Sequence, residues 1–324
     1  MLQVKHLSVE FQTDDGVLRA VNDVSFEVNA GETLGLVGES GCGKSVSAMS
    51  IPRLVPQPPG RITGGEILLD GVDLLKLPIA DMRAIRGRDI GVIFQEPMTA
   101  LSPLHRIGDQ LIEVIRLHKQ TTSKEAKATA LEWMRAVGIP APETRMDAYP
   151  YELSGGMRQR VMIAMAMILH PKLIIADEPT TALDVTIQAQ ILDLMREIRG
   201  DKAALLLITH DMGVIWDICD RMAVMYASRI VETGTVKEIF AHPRHPYTKG
   251  LMDSIPALST HTDRLSHIPG QVPSLLNLPP GCAFADRCPY ATDQCRQALP
   301  ELSGDNGHFC ACHHPIATGN PSCH

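Results

Sequence analysis

The chain has 324 residues, of which 44% are hydrophobic and 21% are charged, and its formal net charge is −7. These values fit one large globular domain with an appendage, or two modest domains, and they exclude a disordered or fibrous chain. The acidic balance, without any run of Lys or Arg, argues against nucleic acid as a partner.

Neither a membrane span nor a signal peptide is indicated. The most apolar stretch, residues 161–176, is interrupted by His170, Pro171 and Lys172. It is shorter than the roughly 20 apolar residues that cross a bilayer. The N-terminus lacks a charged region followed by a long apolar run. We therefore expect the chain in the cytosol, with any membrane association made through a partner.

The first informative element is a strand that runs into a Gly-rich loop. Residues 33–37 predict a buried strand, and residues 46–49 begin a helical pattern. Between them the chain fits G-x-x-x-x-G-K-[ST], with Gly38, Glu39, Ser40, Gly41, Cys42, Gly43, Lys44 and Ser45. Such a loop wraps its N–H groups around the β-phosphate, while its Lys contacts the β- and γ-phosphates and its Ser ligates Mg²⁺. A chance match is disfavoured by the order strand, loop, helix.

The middle of the chain predicts a helical insertion into an α/β core. Strand patterns fade from about residue 96 to residue 160, where residues 107–118 and 123–137 are amphipathic at helical spacing. Outside that segment, short aliphatic runs alternate with helical patterns as far as about residue 240. This alternation predicts an α/β fold with a largely parallel sheet.

The strand predicted at residues 173–176 ends in two acids, Asp177 and Glu178. Parallel sheets present ligands at the carboxyl ends of their strands. Phosphoanhydride hydrolysis needs a cation to neutralise the phosphates and a separate base to position water. Asp177 suits the first task, through Mg²⁺, and Glu178 suits the second. An isolated acidic pair could equally be a helix cap, but the phosphate loop favours the catalytic interpretation.

A seven-residue string then identifies the family. Residues 153–159, Leu-Ser-Gly-Gly-Met-Arg-Gln, lie before a helix predicted at residues 161–169 and resemble the signature of ABC ATPases. The resemblance implies an ATP-binding cassette of the phosphate-loop NTPases, with a RecA-like core, an antiparallel β portion near the N-terminus and a helical subdomain. It also implies that Ser154, Gly155 and Gly156 cap the γ-phosphate bound to the opposite subunit of a dimer.

The same resemblance implies roles for four further residues. Gln95 is similar to the glutamine that senses Mg²⁺ and the attacking water, and Asp184 to the aspartate exchanged across the dimer. Asp184 precedes a predicted helix whose apolar positions recur at spacings of 4, 3 and 4. His210, after a strand predicted at residues 204–208, resembles the histidine that contacts the γ-phosphate. Phe11 lies where the family has an aromatic residue stacked on adenine, although a core role for Phe11 stays open.

Residues 241–324 are predicted to form a module of their own, separate from an ATPase domain at residues 1–240. Residues 244–251 and 268–273 resemble the C-terminal extension of dipeptide, oligopeptide and nickel importer ATPases. Six of the eight cysteines lie in the last 43 residues. In a reducing compartment such clustering indicates metal ligation rather than disulfides.

The resemblance implies that Cys282, Cys288, Cys295 and Cys312 hold a 4Fe-4S cluster, for which four thiolates are the usual ligands. Cys310 remains an alternative fourth ligand. Zinc fits less well because its structural sites favour cysteines two to four residues apart. Free thiols remain the third alternative. Neither Cys219 nor Cys323 is expected to be a ligand.

These observations predict an ATPase subunit of an ABC importer, with ATP and Mg²⁺ as ligands. The implied partners are a second ATPase subunit, identical or related, two membrane permeases and, indirectly, an extracytoplasmic solute-binding protein. The implied location is the cytoplasmic face of the bacterial inner membrane. The alternatives are a non-transport ABC ATPase and a module that binds nucleotide without turnover. Dipeptides, longer peptides, glutathione-like compounds and nickel all remain open as the solute.

Overall fold

The computed structural model describes residues 1–96, 100–180, 185–254 and 268–316. The strands are β1 (Leu2–Thr13), β2 (Gly16–Val28), β3 (Thr33–Val37), β4 (Gly60–Leu69), β5 (Val72–Asp73), β6 (Ile90–Ile93), β7 (Leu173–Asp177), β8 (Ala204–Ile208), β9 (Arg221–Tyr226), β10 (Arg229–Thr235), β11 (Ser303–Asp305) and β12 (His308–Cys310). The α-helices are α1 (Lys44–Ser50), α2 (Ile79–Ile85), α3 (Ile107–His118), α4 (Ser123–Ala136), α5 (Pro142–Arg145), α6 (Gly155–Met167), α7 (Val185–Arg199), α8 (Met212–Ile218), α9 (Val236–Ala241), α10 (Pro246–Asp253) and α11 (Asp293–Gln297). No helix within these ranges is both long enough and apolar enough to cross a membrane.

The chain divides into two interleaved units. Unit 1 comprises residues 1–2, 28–33 and 73–208, and unit 2 comprises residues 3–27, 34–72 and 209–324. The division into an ATPase domain at residues 1–240 and a module at residues 241–324 stays a prediction.

Unit 1 contains three parallel strands in the order β8, β7, β6. Every residue of β7 and β8 is buried, as expected for parallel strands covered on both faces. In register, Ile93 pairs with Ala176, and Asp177 pairs with Ile208. The chain segments that follow β6 and β7 therefore leave the sheet at the same edge. The strands predicted at residues 173–176 and 204–208 are confirmed.

The segment predicted as a helical insertion lies in unit 1 and contains α3, α4 and α5 together with the start of α6. Helix α3 spans the predicted residues 107–118, and α4 stops one residue before the predicted end. Helix α4 begins with a capping box, in which the Thr122 hydroxyl accepts from the backbone N–H of Glu125 and the Glu125 carboxylate accepts in return.

Unit 2 contains two sheets. One has the order β2, β1, β4, β5, and the other has β3, β9, β10, β12, β11. In the second sheet β3 and β9 are parallel, and the pairs that follow are antiparallel.

The C-terminal extension is part of the core of unit 2. Strand β12 pairs with β10, so that Cys310 lies opposite Glu232. The rings of Tyr226, Tyr247 and Phe284 meet with centroid distances of 4.6, 5.3 and 5.5 Å. Short tail strands and aromatic residues scattered along the sequence thus contribute to a sheet and a core begun much earlier in the chain, which the sequence pattern did not indicate.

Candidate active site

The phosphate loop of unit 2 joins β3 to α1 and depends on glycine at several positions. Gly38, Gly41 and Gly43 have φ values of 149°, 78° and 103°. A Cβ placed on Gly38 would lie 2.2 Å from the carbonyl oxygen of Met225, and one on Gly43 would lie 2.2 Å from that of Ala20. The loop therefore cannot keep this path with a side chain at either position.

Lys44 lies inside this loop and is 5% exposed. Its Nζ donates to the carbonyl oxygens of Gly38, at 2.8 Å, and Glu39, at 3.0 Å. Ser45, the next residue, is exposed at the start of α1. Burial raises the pKa of the thiol of Cys42, which is a buried member of the same loop. The loop thus carries the Lys44 ammonium group, predicted to contact phosphate, and the Ser45 hydroxyl group, predicted to ligate Mg²⁺.

In unit 1, two predicted catalytic residues come into direct contact. Gln95 follows β6 and Glu178 follows β7, and the Gln95 Nε2 donates to the Glu178 Oε2 over 2.9 Å. Asp177, the last residue of β7, is 6% exposed. The parallel register explains this meeting across 83 residues of sequence. The carboxylate that the sequence assigns as base is thus held by an amide that the sequence assigns as sensor.

Glu178 has an unusual backbone conformation. Its φ of 44° is left-handed, a conformation that costs a non-glycine residue roughly 1–3 kcal/mol and persists only where the surrounding structure enforces it. Its N–H donates to the Ile208 carbonyl over 2.9 Å, which fixes the peptide to β8. The turn directs the chain away from the sheet directly after the acidic pair.

The signature string of unit 1 forms the start of α6, which is earlier than the sequence pattern indicated. The apolar pattern placed this helix at residues 161–169, after the glycines. The structure begins it at Gly155, because the Ser154 hydroxyl accepts from the Met157 N–H and caps the first turn. Ser154 and Gly155 are both exposed. Gly155 has open space where a Cβ would lie, so partner atoms can approach the backbone closely.

The remaining predicted residues are His210, Phe11 and Asp184. In unit 2, His210 is exposed two residues beyond β8, next to Asp211, which caps α8. Phe11 lies half-buried on β1, and its ring would be 2.9 Å from a Cβ on Gly60. Asp184 lies outside the described residues.

Comparison with known proteins decides the family. The sequence profile of the ABC transporter family matches residues 21–181, and that of the oligopeptide/dipeptide transporter C-terminal region matches residues 231–295. A putative peptide import ATP-binding protein of Brucella melitensis is 52% identical over 320 residues, which cover 95% of each chain. The oligopeptide transport ATP-binding protein OppD of Haemophilus influenzae is 51% identical over 307 residues, with 94% of each chain covered. The chain belongs to the ATP-binding subunits of ABC transporters, in their oligopeptide and dipeptide group.

Solved structures agree on the cassette fold. The ATP-binding cassette MJ0796, solved as a dimer in a post-hydrolysis state with ADP and Pi, superposes with a TM-score of 0.65 at 26% identity. The match covers 73% of this chain and 99% of MJ0796. The predicted ABC cassette is confirmed, and this ABC subunit is an ATPase.

The four cysteines predicted as ligands line one small cavity of about 10 Å³ in the extension of this ABC subunit, together with His313 and His314. No disulfide joins the cysteines of the described ranges. Within those ranges, no three His, Cys, Asp or Glu side chains are placed to hold a single metal ion.

The thiols of this cavity influence one another electrostatically. Burial, together with the neighbouring thiols of Cys312, Cys295 and Cys288, raises the pKa of Cys282 to about 11. A hydrogen bond with Cys310 lowers the pKa of Cys312 to about 7. Cys310 itself does not line the cavity, so its link to the set passes through Cys312.

Two residues at the phosphate loop of the ABC subunit were missed by the sequence analysis. The Tyr247 hydroxyl accepts from the Glu39 N–H over 2.8 Å, and the Arg287 guanidinium binds the Glu39 carboxylate over 2.7 and 3.0 Å. Tyr247 lies in the string at residues 244–251 that resembles the subfamily, and Arg287 lies directly before the predicted ligand Cys288. Nothing in the sequence pattern indicated that either residue contacts the phosphate loop.

Proposed function

We propose that Glu178 is the general base of ATP hydrolysis and that Gln95 orients it. The hydrogen bond from Gln95 Nε2 to Glu178 Oε2 carries this proposal. A carboxylate is a suitable proton acceptor only when its oxygen faces the nucleophile. In this proposal the Gln95 amide orients the Glu178 carboxylate, and the carboxylate aligns water for attack on the γ-phosphorus.

The phosphate loop binds the triphosphate in this proposal. The Lys44 ammonium exchanges its bonds to the loop carbonyls for bonds to the β- and γ-phosphate oxygens. Glu178 takes a proton from water, the water oxygen bonds to the γ-phosphorus, and the bond to the β,γ-bridging oxygen breaks. The products are ADP and phosphate. His210, as the donor that contacts the γ-phosphate, completes the set.

Mg²⁺ fits the chemistry of the residues assigned to it. Ser45, Gln95 and Asp177 supply hydroxyl, amide and carboxylate oxygens, the hard ligands that Mg²⁺ prefers. When bound, the ion neutralises charge that develops on the phosphates.

The subunit is proposed to act as one half of an ATPase dimer. Ser154, Gly155 and Gly156 would close over ATP held by the opposite subunit, and the exposure of this turn supports the assignment. Asp184 would be exchanged across the dimer, and Phe11 would stack on adenine. Closure and hydrolysis would then drive two permeases at the cytoplasmic face of the membrane, supplied by an extracytoplasmic solute-binding protein.

Peptides are the proposed cargo. Three relatives that match nine-tenths or more of this chain are named for peptide import, oligopeptide transport and dipeptide transport. A non-transport ATPase is disfavoured because the C-terminal region characteristic of peptide transporters matches residues 231–295.

We further propose that Cys282, Cys288, Cys295 and Cys312 ligate a 4Fe-4S cluster. The support is the meeting of four thiols around one cavity, a donor set that suits iron-sulfur clusters. Iron and sulfide analysis of anaerobically purified protein tests it. The expected result is four irons and four sulfides per chain, lost in Cys288→Ser and retained in the control Cys219→Ser. Zinc without sulfide, or neither element, would contradict the cluster.

The catalytic proposal is tested by ATP binding and phosphate release with Mg²⁺ present. Glu178→Gln should retain ATP without releasing phosphate, and Lys44→Ala should lose ATP binding. Normal phosphate release by Glu178→Gln would overturn the assignment of the base.

A further inference from the structure

Arg287 of the C-terminal extension is a buried cation bound to the phosphate loop. Its side chain is 5% exposed, and its Nη1 and Nη2 donate to the two carboxylate oxygens of Glu39 over 2.7 and 3.0 Å. Such a bidentate pair has fixed geometry as well as charge attraction. It joins residues 248 positions apart in the sequence, and Glu39 is the first residue after Gly38 in the phosphate loop.

All five N–H groups of this guanidinium are occupied. Besides the two bonds to Glu39, Nη1 donates to the Tyr226 hydroxyl over 3.3 Å, Nη2 to the Ile268 carbonyl over 3.2 Å, and Nε to the Pro269 carbonyl over 2.9 Å. A guanidinium has five donors in one plane, so no freedom of orientation remains. The guanidinium is therefore held with the edge that carries Nη1 and Nη2 toward the Glu39 carboxylate.

The backbone of the same loop residue is held by a second group of the extension. Tyr247, which is fully buried, accepts the Glu39 N–H at its hydroxyl oxygen over 2.8 Å. The carbonyl of Glu39 accepts from the Lys44 ammonium over 3.0 Å. Glu39 is thus restrained at its N–H, its carboxylate and its carbonyl, and two of these three restraints come from the extension.

The charge of Glu39 makes this arrangement consequential for nucleotide binding. A carboxylate in a loop that wraps phosphates would repel an anionic ligand unless a cation neutralised it. Because the Arg287 side chain is 5% exposed and that of Glu39 is 30% exposed, their attraction is screened less than that of a fully exposed pair. Removing the cation would leave a negative charge in the loop and free its backbone to move.

We propose that Arg287 is a positioning residue of the ATP site, which neutralises Glu39 and holds the phosphate loop in its binding conformation. The inference rests on the proposed binding of triphosphate by this loop. It makes the extension a working part of the ATP site, in addition to any role of its cysteines.

Equilibrium binding of radiolabelled ATP with Mg²⁺ to the full chain tests the proposal. Arg287→Met should raise the Kd for ATP about tenfold, because the negative charge of Glu39 would then repel the phosphates of ATP. Arg287→Lys should raise the Kd for ATP by a smaller factor, because lysine keeps the positive charge. The matched control is Arg296→Met, which removes an exposed ion pair with Asp286 from the same segment and should leave the Kd unchanged.

A second substitution separates charge from packing. If Arg287 acts through the Glu39 carboxylate, Glu39→Gln in the Arg287→Met background should return the Kd to within about threefold of the Glu39→Gln single variant. A loss of ATP binding that came only from lost packing of Arg287 would not be restored by a change at Glu39. Should Arg287→Met fail to fold by circular dichroism, Arg287→Lys and Glu39→Gln carry the comparison.

Two outcomes would overturn the proposal. They are an Arg287→Met Kd equal to that of the wild type, and a double variant as weak as Arg287→Met alone. Lys44→Ala distinguishes this failure from failure of the proposed function. Lys44→Ala must abolish binding if the loop holds ATP, whatever Arg287 does.

Discussion

At the scale of single residues, the proposed chemistry depends on one carboxylate held in an uncommon conformation. Glu178 combines a left-handed backbone with a side chain bonded to Gln95. Strain of this kind persists where the surrounding structure enforces it, and here the enforcing contact is the N–H bond to Ile208. The backbone turn and the amide together decide where the carboxylate points.

We predict that Glu178→Gln lowers the rate of ATP hydrolysis by about 100- to 10,000-fold, the usual contribution of a general base. ATP affinity should change little, because the substitution keeps the shape and the Gln95 contact. Steady-state phosphate release and equilibrium binding measure the two effects. Glu27→Gln, an exposed residue of β2, is the control, and equal rates in both variants would contradict the assignment.

The phosphate loop supplies a second prediction at this scale. Gly38→Ala should weaken ATP binding at least about tenfold and lower the Tm, because the new Cβ would lie 2.2 Å from the Met225 carbonyl oxygen. Gly64→Ala is the control, since nothing lies within 4 Å of its Cβ position. Binding titrations and thermal unfolding of both variants check this, and an unaffected Gly38→Ala would show that the loop can follow another path.

At the scale of elements, two helices begin with the same type of side-chain N-cap but are proposed to have different functions. Ser154 caps α6 and Thr122 caps α4, through bonds of 3.3 and 3.2 Å to backbone N–H groups. Each cap stabilises its helix by about 1 kcal/mol. Only the α6 cap lies in the signature string.

We therefore predict that Ser154→Ala and Thr122→Ala each lower the free energy of unfolding by about 1 kcal/mol. Only Ser154→Ala should also reduce ATP-dependent dimer formation. Denaturant unfolding measures the first effect. Sedimentation with ATP in a Glu178→Gln background measures the second, and equal dimer formation by the two variants would argue against a role for the signature turn.

The junction between β10 and the extension gives another element-scale prediction. Glu232 is fully buried, and its carboxylate accepts from the N–H groups of Arg244 and His245 and from the His308 Nε2, at 2.7 to 2.9 Å. Glu232→Gln should destabilise the protein by about 3 kcal/mol, because an amide cannot satisfy three donors.

Denaturant unfolding checks this value, with Asp253→Asn, from an exposed pair with Lys249, as the control. The control should fall within about 1 kcal/mol of the wild type. A Glu232→Gln variant of unchanged stability would mean that the junction is not held by these bonds.

At the scale of the whole molecule, local patterns predicted local structure well. Apolar runs located β3 and β8 to the residue, and amphipathic spacing located α3. The predicted start of α6 was wrong, because an apolar pattern cannot detect a capped first turn that begins with glycines. Cap chemistry at Ser154 would have corrected it.

The contacts between distant segments were beyond the reach of the sequence. Motif order predicted that Gln95 and Glu178 act together, yet only the register of β6 and β7 shows that they touch. Nothing in the spacing of Glu39 and Arg287 indicates that they pair, because a salt bridge leaves no periodic pattern. The same holds for β12, which is three residues long and completes a sheet formed by residues far earlier in the chain.

The most direct test of the account is single-turnover phosphate release from ATP and Mg²⁺ by the full chain, compared with Glu178→Gln and Lys44→Ala. We predict that the wild type releases phosphate, that Glu178→Gln holds ATP without releasing it, and that Lys44→Ala does neither. Release by Glu178→Gln at the wild-type rate, or undiminished ATP retention by Lys44→Ala, would contradict the account.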